Sequence, residues 1–193
     1  MKKVFAILTV ALMSLNICSA QQSWFEGEAA YSTNIAMAGI SQTTSSSHTE
    51  YYKNGNVMMD GNMGKTVYRT DTRTELSREA GEKSVSEVRL SDMAPVKAIV
   101  DRSTVTVDGH KCIRVTYTST TDDPEMGSAE VTTTDWVDIS YAIPYLYGRV
   151  TDVPQGLVVQ SEASIKANGM NMTTKTKLKS IKQKAVKDSK FEL

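Results

Sequence analysis

A thiol and an imidazole lie close together in the sequence, at Cys112 and His110. A histidine beside a cysteine can act as the base of a covalent mechanism, because the imidazole withdraws the thiol proton. Two residues apart on a strand, these side chains share a face but lack the third group that orients the base. We therefore predict that Cys112 is a packed thiol.

The other residues that could do chemistry are also isolated. His48 has no cysteine or histidine at the spacing of a metal ligand pair, so no metal site is predicted. Asp122 and Asp123 precede Pro124, which is typical of a turn rather than of a catalytic pair. The chain has no glycine-rich phosphate loop, zincin helix or nucleophile elbow. These patterns predict that the protein is not an enzyme and has no cofactor.

The element that best defines the fold is a β-hairpin between Leu157 and Leu178. Asn168-Gly169 predicts a two-residue turn at its tip, because these residues tolerate positive φ best. Counting outward places the apolar positions of both arms on one face. The opposed pairs on this face are Ala167 and Met170, Ile165 and Met172, Ala163 and Thr174, and Val159 and Leu178. On the other face Glu162 lies opposite Lys175 and Lys166 opposite Asn171, so the hairpin predicts a sheet with one covered and one solvated face.

Alternating apolar residues predict further antiparallel strands along the chain. One runs from Glu28 to Met37, and two more flank the turn signal Asn54-Gly55. The segment from Gly39 to Ser47 is rich in serine and threonine and predicts a loop.

A second turn signal, Asp108-Gly109, is harder to place in register. A two-residue loop would put Val105 and Val107 on the opposite face from the next apolar residues of the segment. We therefore expect a three-residue loop that includes His110, or a bulge beside it. Either would bring five side chains to one face, namely Val105, Val107, Ile113, Val115 and Tyr117.

The aromatic segment from Tyr141 to Tyr147 surrounds Pro144 and predicts an irregular or short helical lid. Its apolar side chains must cover a surface, and a curved sheet is the only large one available.

Seven lysines follow between Lys175 and Lys190. They are typical of a solvated edge strand that lysines protect from aggregation. The alternative is a patch for anionic head groups that allows peripheral membrane contact.

The N-terminus predicts export. Lys2-Lys3, an apolar run from Val4 to Leu15 and a small-residue site ending at Ala20 form a signal peptide. Residues 1–20 are then removed and residues 21–193 form a single domain. Cys18 raises the alternative of a lipidated protein, but Ile17 before it is not the small residue that lipidation requires. Lysine plus arginine and aspartate plus glutamate both total 22, so no bulk charge indicates a nucleic acid partner.

At the Gly109-His110-Lys111-Cys112 turn the sequence resembles a family of exported bacterial domains of unknown function. The strand at Trp136, the strand start at Gly156, the Asn168-Gly169 hairpin and the terminal Phe191 extend the resemblance over most of residues 21–193. This family is similar in fold to the periplasmic lipoprotein carrier LolA and its mycobacterial relative LppX. The resemblance implies a mainly β fold, a half-barrel of curved antiparallel sheet whose apolar concave face can hold acyl chains under a lid.

From these patterns we expect a periplasmic binding module for a lipid or other apolar ligand. Extracellular or outer-membrane-associated locations are the alternatives to the periplasm. The alternative function is a non-catalytic structural or envelope-interaction protein whose concave face is merely its core. The expected ligand site joins the apolar hairpin face to the aromatic lid, at Ile165, Met170, Met172, Leu178, Tyr145, Leu146 and Tyr147. The ligand, the partner and the oligomeric state are not specified by the sequence.

Overall fold

A computed structural model describes residues 23–39, 43–92, 96–123, 127–167 and 170–193. Within these ranges the chain forms eleven β-strands. The strands are β1 (Gly27–Met37), β2 (Thr43–Lys53), β3 (Asn56–Gly61), β4 (Gly64–Arg69), β5 (Thr74–Glu79), β6 (Ser86–Arg89), β7 (Ala98–Val107), β8 (His110–Asp123), β9 (Gly127–Asp138), β10 (Leu157–Ala167) and β11 (Met170–Gln183). Three 3₁₀ turns accompany them, at Leu90–Asp92, Tyr145–Gly148 and Asp188–Phe191.

All eleven strands belong to one antiparallel sheet with the order β6-β5-β4-β3-β2-β1-β11-β10-β9-β8-β7. Strands β1 to β6 form one meander of consecutive hairpins, and β7 to β11 form another. The two meanders meet where β1 pairs with β11. The sheet is curved and open, with β6 and β7 as its edges, so the half-barrel architecture is confirmed.

The register predicted for the β10–β11 hairpin is confirmed. Pairing runs without a break from Gln160 opposite Lys177 to Ala167 opposite Met170, with Glu162 opposite Lys175. The Glu162 carboxylate accepts a hydrogen bond from the Lys175 ammonium, as expected for the solvated face. Asn168 and Gly169 themselves lie outside the described residues, so the turn type stays a prediction.

The Asn54-Gly55 hairpin is also confirmed. Both residues have positive φ, 52° and 77°, as a type I′ turn requires, and β2 and β3 pair on either side of them.

At Asp108-Gly109 the predicted three-residue loop is wrong, because Val107 pairs directly with His110 and the turn has two residues. The register shift in this hairpin lies further back, between Asp101 and Val105.

That shift does not bring the five apolar side chains to one face. Val105 lies opposite Cys112, and Cys112 alternates with Ile113, so Val105 and Val107 point away from Ile113 and the residues in phase with it. Val105 is 44% exposed, whereas Cys112 opposite it is fully buried.

Two further expectations are corrected by the sheet. The serine- and threonine-rich stretch that predicts a loop is strand from Thr43 onward, where it pairs with the end of β1. The lysine-rich β11 is a central strand between β1 and β10, not an edge strand. Its lysines therefore cover one face of the sheet rather than protect an edge.

The two faces of the sheet differ in what covers them. We call the segment between β9 and β10, residues 139–156, the plug, and the face it packs on the plug face. Tyr145, Val150 and Val153 of the plug pack with Val115 and Val137 of the sheet in one buried cluster. A second cluster, centred on Tyr31, Tyr52, Tyr68 and Leu157, continues the core toward β1 to β4.

No helix among the described residues is long and apolar enough to cross a bilayer. Residues 1–20, which carry the predicted signal peptide, and Cys18 lie outside the described residues.

Candidate functional site

The plug is held in place by its own backbone and by the sheet. The Gly156 amide donates to the Ile143 carbonyl at 2.7 Å, and Pro144 forms an antiparallel bridge with Gln155. At its start, the Phe25 amide donates to the Ala142 carbonyl at 2.9 Å. The aromatic segment predicted as a lid is therefore a closed loop fixed at both ends.

The tip of the plug is a tight left-handed turn. Leu146 and Tyr147 have φ of 42° and 55°, followed by Gly148 at 72°. Residues with side chains rarely adopt this region, so the turn persists only because its surroundings hold it. Tyr147 stacks on Tyr68 of β4 with ring centroids 4.5 Å apart, and the Tyr68 hydroxyl donates to the Tyr147 carbonyl at 3.2 Å.

The plug does not fill the space above the sheet. A cleft of about 300 Å³ remains between them, bounded by the plug from Ile143 to Tyr147 and by plug-face residues of β1, β2, β3, β8, β9, β10 and β11. Its size is at the lower end of the range found for small-molecule sites. Its walls are tyrosine-rich, and the polar groups among them converge on two carboxyls.

The first carboxyl is Asp135, near the middle of β9. Only 3% of this residue is exposed. The Tyr145 hydroxyl donates to its Oδ2 at 2.7 Å, whereas no described group makes a hydrogen bond to Oδ1. Burial raises the pKa of Asp135, although the neighbouring hydroxyls of Ser161, Tyr145 and Tyr117 act in the opposite direction.

The second carboxyl is Glu50, on β2. The Tyr52 hydroxyl donates to its Oε2, and His48 Nε2 lies 3.5 Å from its Oε1. The Tyr31 ring stacks on His48 with centroids 5.0 Å apart, and the Tyr31 and Tyr52 hydroxyl oxygens are 3.4 Å apart. Burial and the Glu50 charge raise the pKa of both Tyr31 and Tyr52, so their hydroxyls stay protonated.

The predicted lid residues Tyr145, Leu146 and Tyr147 all line this cleft. On the hairpin, the cleft is lined by Val158, Ser161 and Thr176.

The site residues predicted on the hairpin lie along the strands to either side of the pair formed by Ser161 and Thr176. Ile165 and Met172 pair with each other nearer the turn, about 13 Å along the strands from Ser161 and Thr176. Leu178 lies beyond Thr176 in the other direction, where it pairs with Tyr31 and packs against the core. Met170 pairs with Ala167, and its side chain lies outside what the structure describes. The binding roles of all seven residues stay a prediction.

The opposite face of β9 carries another buried carboxyl, Asp138. It accepts hydrogen bonds from the Ser140 amide at 3.0 Å, the Ser140 hydroxyl at 2.6 Å and His110 Nδ1 at 2.9 Å. Burial alone would raise the pKa of Asp138, but these hydrogen bonds outweigh it and lower the pKa.

Cys112, beside this network, is fully buried, and its thiol donates to the His110 carbonyl with a sulfur–oxygen distance of 3.7 Å. Burial raises the pKa of Cys112 to about 11. The imidazole of His110 pairs with Asp138, not with the thiol.

Sequence reasoning missed the two carboxyls of the cleft. Asp135 follows a run of threonines, which hides it in a polar stretch. Its phase was the available signal, because the alternation that places Val131 and Val137 on the covered face also places Asp135 there. Glu50 lies in the same way between Tyr52 and His48 on β2, within the strand predicted before Asn54-Gly55, so its phase with Tyr52 was again the available signal.

Among the residues that the structure describes, no three of the histidine, cysteine, aspartate and glutamate side chains form a group that could hold a metal ion.

No family model matches the chain, and no curated protein sequence matches it. Solved structures similar to it include a LolA superfamily protein from Nitrosomonas europaea, with a TM-score of 0.41, 7% identity, and coverage of 88% of this chain and 90% of that one. A putative outer membrane lipoprotein-sorting protein domain from Vibrio parahaemolyticus is similar with a TM-score of 0.40 and 6% identity. The match covers 90% of this chain and 92% of that one. A structure of PNGF-II is similar with a TM-score of 0.47 and 11% identity, and the match covers 86% of this chain and 30% of that one. All three TM-scores are below 0.5, so the fold is established by the strand order and register. The similar structures include a LolA superfamily protein, and the family that the sequence motifs resemble is similar in fold to LolA.

Proposed function

We propose that the protein is an exported, non-catalytic binding module that holds a lipid or other apolar ligand between the plug and the sheet. The observation that supports this most is the unfilled cleft of about 300 Å³. A domain whose interior served only as a core would pack that space to near crystal density. The signal peptide predicted at residues 1–20 places the module in the cell envelope, with the periplasm as the proposed location.

The ligand's apolar part has a continuous surface available. Beyond the cleft, toward the hairpin turn, the plug face bears Ile35, Ile165 and Met172, all half-buried. Flexible thioethers and branched aliphatic side chains suit an adaptable apolar contact. An acyl chain extending from the cleft along this surface would cover it.

The structural alternative also has a specific observation in its favour. Tyr145 is 1% exposed and Val150 and Val153 are buried, so the plug is built as a core element rather than as a detached lid. In that case the protein would act through its surface, and peripheral membrane contact through the lysines of β11 and the C-terminal tail is the expectation.

Filling the cleft discriminates between these two functions. Ser161 lines the cleft, whereas Ser164 on the same strand points to the opposite face and is exposed. Ser161→Leu should abolish binding of a neutral apolar fluorophore such as N-phenyl-1-naphthylamine and leave the melting temperature close to that of the parent. Ser164→Leu is the matched control and should change neither.

A packed interior would behave differently. Overpacking by Ser161→Leu would then cost ~1–3 kcal/mol of stability, and the parent would bind no fluorophore. That pair of results would leave the structural alternative. Native mass spectrometry of the protein isolated from the envelope, followed by lipid extraction, would identify a bound ligand directly.

A further inference from the structure

The starting observation is the unsatisfied oxygen of Asp135. A carboxyl that is only 3% exposed ordinarily has both oxygens hydrogen-bonded, because a buried acceptor without a partner is costly. Here Tyr145 satisfies Oδ2, and no described group meets hydrogen-bond geometry to Oδ1, although burial raises the pKa of Asp135 and the nearby hydroxyls of Ser161 and Tyr117 act against that rise. Asp135 lines the cleft, so a molecule occupying the cleft can supply the missing donor.

Acidic side chains outnumber basic ones in the lining of the cleft. Two of its lining residues, Asp135 and Glu50, are acidic, and the only basic side chain among them is the imidazole of His48, which lies beside Glu50. No lysine or arginine is among the lining residues. Burial raises the pKa of Glu75 and of Tyr117, and the charge of Arg149, further along the plug, acts against that rise.

The walls add a second feature that favours positive charge. Five tyrosines line the cleft, namely Tyr31, Tyr52, Tyr117, Tyr145 and Tyr147. Aromatic faces attract ammonium groups, most strongly where water is excluded, and aromatic walls beside a carboxylate are a common arrangement for binding alkylammonium ligands.

We propose that the cleft binds the ammonium end of an amphiphilic amine, with a ligand N–H donating to Asp135 Oδ1 and the apolar body lying against the tyrosines. This inference rests on the proposed function and specifies the polar end of its ligand. Anionic head groups are disfavoured, because both carboxyls of the cleft would repel them. The cleft volume suits a compact head group with a short apolar body.

The test compares three ligands of nearly equal shape by isothermal titration calorimetry on the mature protein: 2-phenylethylammonium, 2-phenylethanol and 3-phenylpropionate. The ammonium compound should bind roughly tenfold more tightly than the alcohol, and the carboxylate more weakly than both. Asp135→Asn should remove that preference and retain binding of the neutral fluorophore. Asp152→Asn, in an exposed turn, removes the same charge away from the cleft and should leave the preference intact.

Each other outcome is decisive. If the fluorophore binds but the three ligands bind equally, or the carboxylate binds best, the ammonium site is wrong and the binding function stands. An unchanged preference in Asp135→Asn would likewise overturn the role of Asp135, with Glu50→Gln showing whether the second carboxyl carries it. If neither the fluorophore nor any of the three ligands binds the parent, the proposed function itself fails.

Discussion

Strand β9 carries two buried aspartates, three residues apart, on opposite faces of the sheet. Asp138 accepts three hydrogen bonds from Ser140 and His110, and its pKa is lowered. Asp135 accepts one from Tyr145, and its pKa is raised by burial. Two aspartates on one strand therefore differ: the hydrogen-bonding capacity of Asp138 is used within the fold, whereas that of Asp135 is used only in part.

This difference separates a structural carboxyl from a candidate binding group. Evolution of a stable fold alone would pair or replace a buried carboxyl, since an unpaired one destabilises the folded state. A group retained in that condition, within an open cleft, has the properties expected of a binding residue. Substitutions at four residues test whether the two faces differ in this way.

Asp138→Ala should have the largest effect. It leaves the Ser140 amide and His110 Nδ1 without their acceptor in a part-buried site, and we expect a loss of about 3 kcal/mol in the free energy of unfolding. Urea unfolding followed by circular dichroism measures it. Asp152→Ala, in the exposed turn, should be neutral; a similar loss there would mean that the effect is one of net charge.

Tyr145→Phe should cost somewhat less, about 2 kcal/mol. It removes the hydroxyl that donates to Asp135 Oδ2 and keeps the buried ring. Tyr145→Phe leaves the Asp135 carboxyl without this donor, and Asp135→Asn removes that carboxyl. The double variant Tyr145→Phe/Asp135→Asn should therefore recover part of the lost stability. Strictly additive losses in this double-mutant cycle would show that the two side chains are not coupled.

Asp135→Asn should have a smaller effect of the opposite sign. Since the folded-state pKa is raised, ionisation is harder in the folded than in the unfolded protein, so Asp135 lowers stability as the pH rises above its ordinary pKa. The variant should therefore be more stable than the parent at pH 7 and equal to it at pH 3. Thermal melts at both values check this, and a variant less stable at pH 7 would mean that the carboxylate is satisfied.

Asp138 should show the reverse dependence on pH. Its lowered pKa gives stability that is present above the ordinary pKa of an aspartate and is lost as the pH falls through the folded-state value. The loss of stability caused by Asp138→Asn should accordingly become smaller in acid. The gain of stability caused by Asp135→Asn should also become smaller there.

Glu162→Gln should have the smallest effect. Its ion pair with Lys175 lies on the solvated face, with both side chains more than 40% exposed. We expect a loss of about 0.3 kcal/mol that disappears in 1 M salt. A larger, salt-independent loss would indicate that this face is covered in the protein's working state.

The sequence was informative where local rules decide the structure. The register of β10 and β11 followed from counting outward from Asn168-Gly169, because pairing across a short turn leaves little freedom. The aromatic lid was recognisable because Pro144 and the five aromatic and aliphatic residues around it fit neither strand nor helix periodicity.

The features that the sequence did not predict depend on pairing between distant segments. Strand β11 is central only because β1 pairs with it, and no local pattern in the lysine-rich segment encodes that partner. The serine- and threonine-rich start of β2 is strand because β1 supplies its hydrogen bonds, despite a composition typical of loops. Asp135 escaped notice for a related reason: its burial depends on the plug, whose position over β9 is a tertiary contact.

The pairing of β1 with β11 also determines how the chain can assemble. Within each meander, paired strands are consecutive in sequence, whereas the ladder between β1 and β11 joins strands that are far apart in the chain. Closing such a long loop costs the most conformational entropy, so the two halves should form first and this ladder last. A backbone cut between β6 and β7 would then leave two fragments able to reassemble. Until they do, each half exposes an unpaired strand edge, which makes the chain most prone to aggregation just before its final step of folding.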